Sequence, residues 1–60
     1  MTNYMQIEIG EYYLVEDFES HSGFRPVKIV GLVKDKENTF WGKYSDGSIY
    51  DFVADELKPI

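Results

Sequence analysis

The chain has 60 residues with one Trp, five Tyr and four Phe, no cysteine, and 11 acids against 6 bases for a net charge of −5. A chain this short makes one domain and buries only about 60% of its unfolded surface, so large aromatic side chains must build the core, and without thiols neither a disulfide nor a thiolate metal site can staple it. No run approaches the roughly 20 apolar residues of a membrane span, and no basic stretch leads into an apolar one as in a signal peptide, so the expected setting is cytoplasmic.

In chain order, residues 1–6 read as a loosely ordered N-terminal arm and residues 7–60 as a single small domain. Residues 11–16 alternate, with Tyr13 and Val15 on one face and Tyr12, Leu14 and Glu16 on the other, which predicts the first strand. Residues 17–25 lack apolar periodicity and predict a long loop with Phe18 and Phe24 as anchors. Pro26 suits a strand start, residues 27–34 predict the second strand, and residues 35–38 the loop to a third over residues 39–44. Asp46-Gly47 is a turn dipeptide that tolerates positive φ and tips a hairpin into a fourth strand over residues 48–53. Residues 54–60 then read as one short helical turn followed by a brief final strand. The expected class is all-β, a small five-stranded barrel with a short helical turn before its last strand.

Register follows from the loops. A four-residue loop over 35–38 sets Leu32 opposite Trp41 and Gly31 opposite Gly42. A three-residue Ser45-Asp46-Gly47 loop pairs Gly42 with Tyr50 and Phe40 with Phe52, and lets Tyr50 cover the two glycines. Val15, Val27, Ile29, Val33, Phe40, Tyr44, Tyr50, Phe52 and Leu57 then face inward, while Val30, Leu32, Trp41, Lys43 and Ile49 face out. A two-residue Asp-Gly turn would instead send Ile49 inward; the first register buries two aromatics rather than an isoleucine and an aspartate.

Charge is unevenly placed. Glu8, Glu11, Glu16, Asp17 and Glu19 precede the first base, Arg25, and from Arg25 onward six bases meet six acids. One end of the domain is therefore acidic, which either solubilises it or steers a partner with a basic surface.

The opening Ile9-Gly10-Glu11, the entry Gly23-Phe24-Arg25-Pro26-Val27-Lys28-Ile29, and Tyr44-Ser45-Asp46-Gly47 followed by Leu57 resemble a Tudor-like domain of the SH3-like barrel superfold. Such domains commonly hold methylated lysine or arginine in an aromatic cage. The resemblance puts the cage positions near Asp17 or Phe18 and at Arg25, Tyr44, Asp46 and Ser48, but Arg25 stands where a ring is needed and would repel a ligand cation. A small acidic domain of this sort also resembles phage or mobile-element accessory proteins that bind and modulate a host factor.

The sequence offers catalysis little. His21 sits alone in a polar loop, no nucleophile is paired with a base, and Glu16, Asp17 and Glu19 lack calcium-loop spacing. No cofactor or metal is expected. A nucleic-acid role would rest on Trp41 with Lys28, Lys34, Lys36 and Lys43, and the acidic balance disfavours it; an acidic mimic of DNA would rest on five carboxylates. The sequence reading is a non-enzymatic protein-interaction module that meets another protein through Trp41, Leu32, Lys43 and Ile49 and through Glu16, Asp17 and Glu19. The alternative for Trp41 is burial beneath an arm carrying Tyr4, Met5 and Ile7.

Overall fold

Period-two alternation of apolar and polar residues carries the chain through four antiparallel strands, and the computed structural model describes residues 6–60. They are β1 (Tyr12–Glu16), β2 (Phe24–Leu32), β3 (Thr39–Lys43) and β4 (Ile49–Val53), arranged in the order β1-β2-β3-β4, with a 3-10 turn at Ala54–Glu56 after them. The inward side chains Tyr13 and Val15 of β1, Val27 and Ile29 of β2 and Phe52 of β4 join Leu57 in one core, with Ile7, Phe40 and Tyr44 packed half-buried against it. Tyr13 is buried with its hydroxyl satisfied, because that oxygen accepts the Glu8 N–H at 3.0 Å.

β2 starts three residues before the expected boundary, since Phe24, Arg25 and Pro26 pair with Glu16, Val15 and Leu14. Proline is tolerated there for a local reason. Leu14 directs both its N–H and its carbonyl to Lys58, at 2.8 and 2.9 Å, so the Leu14 and Pro26 pair exchanges no hydrogen bond. The nitrogen of Pro26 then points to the side of β2 where β3 has already ended, and no ladder donor is missed.

The class is all-β, as expected, with a four-stranded open sheet. The expected final strand appears as one bridge between Lys58 and the free edge of β1 at Leu14. Pro59 follows at once, and a residue without an N–H cannot extend the ladder. The start of the predicted arm, residues 1–5, lies outside the described residues.

Two register expectations had different outcomes. At the Ser45-Asp46-Gly47 loop Gly42 faces Tyr50 and Phe40 faces Phe52, with Gly47 at φ 92° and the Tyr44 N–H donating to the Ser48 carbonyl at 2.9 Å. Between β2 and β3 the expected pairing is wrong. Ile29, not Gly31, faces Gly42; Gly31 faces Trp41; and Leu32 faces Phe40. Two shifts combine: the Val33 N–H bonds the Thr39 carbonyl at 3.0 Å, so the loop takes residues 34–38 and moves Gly31 and Leu32 by one position, and an extra residue, Val30, between Ile29 and Gly31 moves Ile29 and Lys28 by one more. The two glycines are therefore not opposed. Phe52, rather than Tyr50, fills the space over Gly42, and Tyr50 stays 55% exposed instead of entering the core. Val33, also expected inside, is only half-buried.

Candidate functional site

Directly opposed residues of an antiparallel sheet project from the same face, so the register alone assembles the outer surface. One row crosses all four strands: Tyr12 opposite Lys28, Lys28 opposite Lys43, and Lys43 opposite Ile49. Trp41 lies two residues from Lys43 on the same face of β3, between Gly31 on β2 and Asp51 on β4. Val30, Tyr12, Ile49 and Trp41 are all exposed, Trp41 to 40%. Its indole rests partly on bare backbone, because a Cβ at Gly31 would meet Trp41 Cδ1 at 3.7 Å. The neighbouring Asp51 carboxylate is held by Lys36 Nζ at 3.0 Å, and that ammonium group keeps its carboxyl below the ordinary value.

Of the residues singled out from the sequence, Trp41, Lys43 and Ile49 are thus brought together. Leu32 is not. The loop between β2 and β3 takes residues 34–38, one more than expected, because the Val33 N–H bonds the Thr39 carbonyl; this sets Leu32 opposite Phe40, on the core side of the sheet, where it is 60% exposed at the sheet's end rather than beside Trp41. Of the arm considered as a cover for Trp41, Ile7 instead packs against the core cluster; Tyr4 and Met5 lie outside the described residues. Sequence reasoning passed over Tyr12 and Lys28 as members of this surface. The signal was present in the alternation of Tyr12 with Tyr13 and of Lys28 with Val27 and Ile29.

Of the five acids that precede Arg25, Glu16, Asp17 and Glu19 lie at the opposite end, whereas the Glu11 carbonyl accepts the Ile29 N–H next to Lys28. β2 runs from Phe24, paired with Glu16, to Gly31, paired with Trp41, a span of about 20 Å at roughly 3.3 Å per residue. Glu16 and Glu19 are exposed, but Asp17 is engaged: one carboxylate oxygen accepts the Glu19 N–H at 3.0 Å and the other lies 3.6 Å from the Arg25 guanidinium. The other guanidinium nitrogen approaches Asp46 at 3.7 Å, and the Arg25 Cζ sits 4.2 Å from the centre of the Tyr44 ring. Arg25 therefore ties the loop after β1 to the tip of the β3-β4 hairpin and covers the ring face that the Tudor-like resemblance assigns to a ligand cation. Burial raises the Tyr44 phenol above its ordinary pKa, partly offset by Arg25. Asp46 is shifted down, first by the Ser48 hydroxyl that donates to it at 2.6 Å and then by the Ser48 N–H at 2.9 Å.

Among the described residues no three His, Cys, Asp or Glu groups gather into a set that could hold a metal ion, and no helix is long and apolar enough to cross a membrane. His21 is exposed in the loop after β1. An open groove of about 730 Å³ lies where Ile7, Phe40 and Val53 meet Glu37 and Asp55. Comparison of the chain with protein-family models, curated proteins and solved structures gives no significant match.

Proposed function

We propose that this protein is a non-enzymatic protein-interaction module, a small SH3-like barrel whose outer sheet face docks on another protein. The observation that carries the reading is the side-by-side exposure of Trp41, Val30, Tyr12 and Ile49 on a face that no other described element covers. Clustered exposed apolar groups mark interaction surfaces, and tryptophan and tyrosine are the usual anchors of binding energy. The single bridge from Leu14 to Lys58 supports the barrel reading, because it brings the C-terminal segment against the free edge of β1.

The test is affinity capture with the full chain, comparing the natural sequence with Trp41→Ala and with Phe18→Ala as an exposed aromatic distant from the face. Proteins retained by the natural chain and by Phe18→Ala, and lost with Trp41→Ala at an unchanged circular dichroism spectrum, support the docking role. A set of partners indifferent to Trp41 refutes it.

A further inference from the structure

Lys28 and Lys43 stand directly opposite each other in the middle of the outer row. Opposed side chains have Cβ atoms about 4.5–5.5 Å apart, and like charges so placed destabilise the sheet. The chain has more carboxylates than it needs to neutralise them, with 11 acids against 6 bases. Its ion pairs nevertheless go to Arg25 and Lys36, and neither Lys28 nor Lys43 has one among the described residues. The local sign of this face is therefore positive on a negative protein, and its cations are left free between exposed aromatic and aliphatic groups.

We infer that the outer face binds a short acidic segment of a partner protein, with a carboxylate received between Lys28 and Lys43 and apolar side chains resting on Trp41 and Tyr12. This rests on the docking role proposed above and gives its partner a chemistry. The opposed ammonium groups converge on one anionic side chain, and an anion placed there removes the repulsion the free sheet carries. The row from Tyr12 to Ile49 crosses three strand spacings, about 14 Å, which matches roughly four extended residues. Aromatic anchors flank the charge, so acidic and apolar residues should be interspersed in the segment.

Two free lysines suit a segment of this size and do not suit a nucleic acid, whose phosphates need a continuous basic track. The track is cut short on this face: Asp51 neutralises Lys36, and Glu16 ends β1. The basic partner expected from Glu16, Asp17 and Glu19 would meet the other end of the domain, where Arg25 already engages Asp17.

Titration of the full chain with capped peptides tests the inference, read by Trp41 fluorescence and by amide shifts. The probes are a five-residue peptide of alternating Glu and Phe, its Lys and Phe counterpart, and a ten-residue thymidine oligonucleotide. The acidic peptide should shift Trp41, Lys28 and Lys43 together and bind more weakly as salt rises. Reversing both charges, Lys28→Glu with Lys43→Glu, should weaken it roughly tenfold, as expected for two exposed ion pairs. Should that variant not fold, Lys28→Gln and Lys43→Gln serve instead, each losing affinity severalfold while folding stability stays equal or rises. Preferential binding of the lysine peptide or the oligonucleotide, self-association through this face, or no response to the acidic peptide at millimolar concentration overturns the inference. A captured partner lost with Trp41→Ala but kept by the charge-reversed chain leaves docking standing and removes the acidic segment. A partner indifferent to Trp41→Ala removes docking itself.

Discussion

The ring of Phe52 lies on the bare backbone of Gly42, so close that a Cβ at residue 42 would come within 2.8 Å of its Cδ2 and Cε2 atoms. The glycine is a packing requirement: Phe52 is a core side chain that reaches across from β4, and it fits only where β3 has no side chain. Gly42→Ala should therefore destabilise the domain by about 1–3 kcal/mol through overpacking. Gly31→Ala is the control, because its added methyl meets only the Trp41 ring edge at an ordinary 3.7 Å and should change stability by no more than about 0.5 kcal/mol. Urea unfolding of the two variants decides it; equal losses would mean that the close approach at Gly42 is relieved without effort.

Why the sequence revealed one hairpin and not the other is a matter of turn chemistry. Ser45-Asp46-Gly47 carries its own register, since Gly47 takes the left-handed conformation and the Asp46 carboxylate binds Ser48 two residues on. The alternation of Val15, Val27, Ile29 and Phe52 likewise announced the core. The loop over residues 34–38 has no comparable signature. Its one left-handed residue is Asn38, at φ 51°, and nothing in Ile29-Val30-Gly31 announces that Val30 is an extra residue. A loop one residue longer than expected therefore took Leu32 off the Trp41 face, and the bulge then brought Lys28, with Tyr12 opposite it, into line with Lys43. The tie of Arg25 to Tyr44, Asp17 and Asp46 depends on long-range pairing of two loops, which composition does not reveal.

Arg25 offers a second test. Its ion pairs are partly exposed and contribute little, whereas a cation over a ring at a surface site contributes about 0.5–1 kcal/mol. Arg25→Ala should therefore cost on the order of 1 kcal/mol in urea unfolding and broaden the amide signals of the 17–23 and 45–48 loops. With Arg25 in place, methylated lysine and arginine peptides at millimolar concentration should leave the amide spectrum unchanged. Shifts at Phe18, Tyr44 and Asp46 that follow methylation state would show that the guanidinium yields the ring.

The carboxyls of Asp46 and Asp51 differ in how much charge attraction adds to hydrogen bonding. Both have folded-state pKa values below the ordinary one: Asp46 first through its hydrogen bonds from Ser48, with a smaller attraction from Arg25, and Asp51 first through the hydrogen bond from Lys36 and then through the charge of the same ammonium group. A depressed carboxyl stabilises the folded state above its unfolded pKa and loses that contribution as pH falls through the folded value. Acidification should thus loosen the hairpin tip and the Lys36 contact, each following its own aspartate. Raising salt from 0.1 to 1 M shortens the Debye length from about 10 to about 3 Å, so the Asp51 midpoint should climb toward the ordinary value more than that of Asp46. Carbon-detected titration at both salts measures this, and equal salt responses would count against the distinction.

Trp41 reports on its own surroundings, since it is the only tryptophan of the chain. It is 40% exposed, with Lys43 two positions away on β3 and Lys28 opposite Lys43. Its fluorescence should be readily quenched, and the sign of the quencher should matter. Iodide is drawn to the two lysines while caesium is held off, so iodide should be the better quencher once each is normalised to free tryptophan amide. The net charge of −5 predicts the reverse order, because the whole molecule repels anions and attracts cations. Local and global charge are thus set against each other in one measurement. Lys28→Gln with Lys43→Gln should move the iodide-to-caesium ratio below that of the natural chain. A ratio that favours caesium from the outset would mean that the acidic end, about 20 Å away along β2, dominates the potential over Trp41, and the positive character assigned to this face would have to be given up.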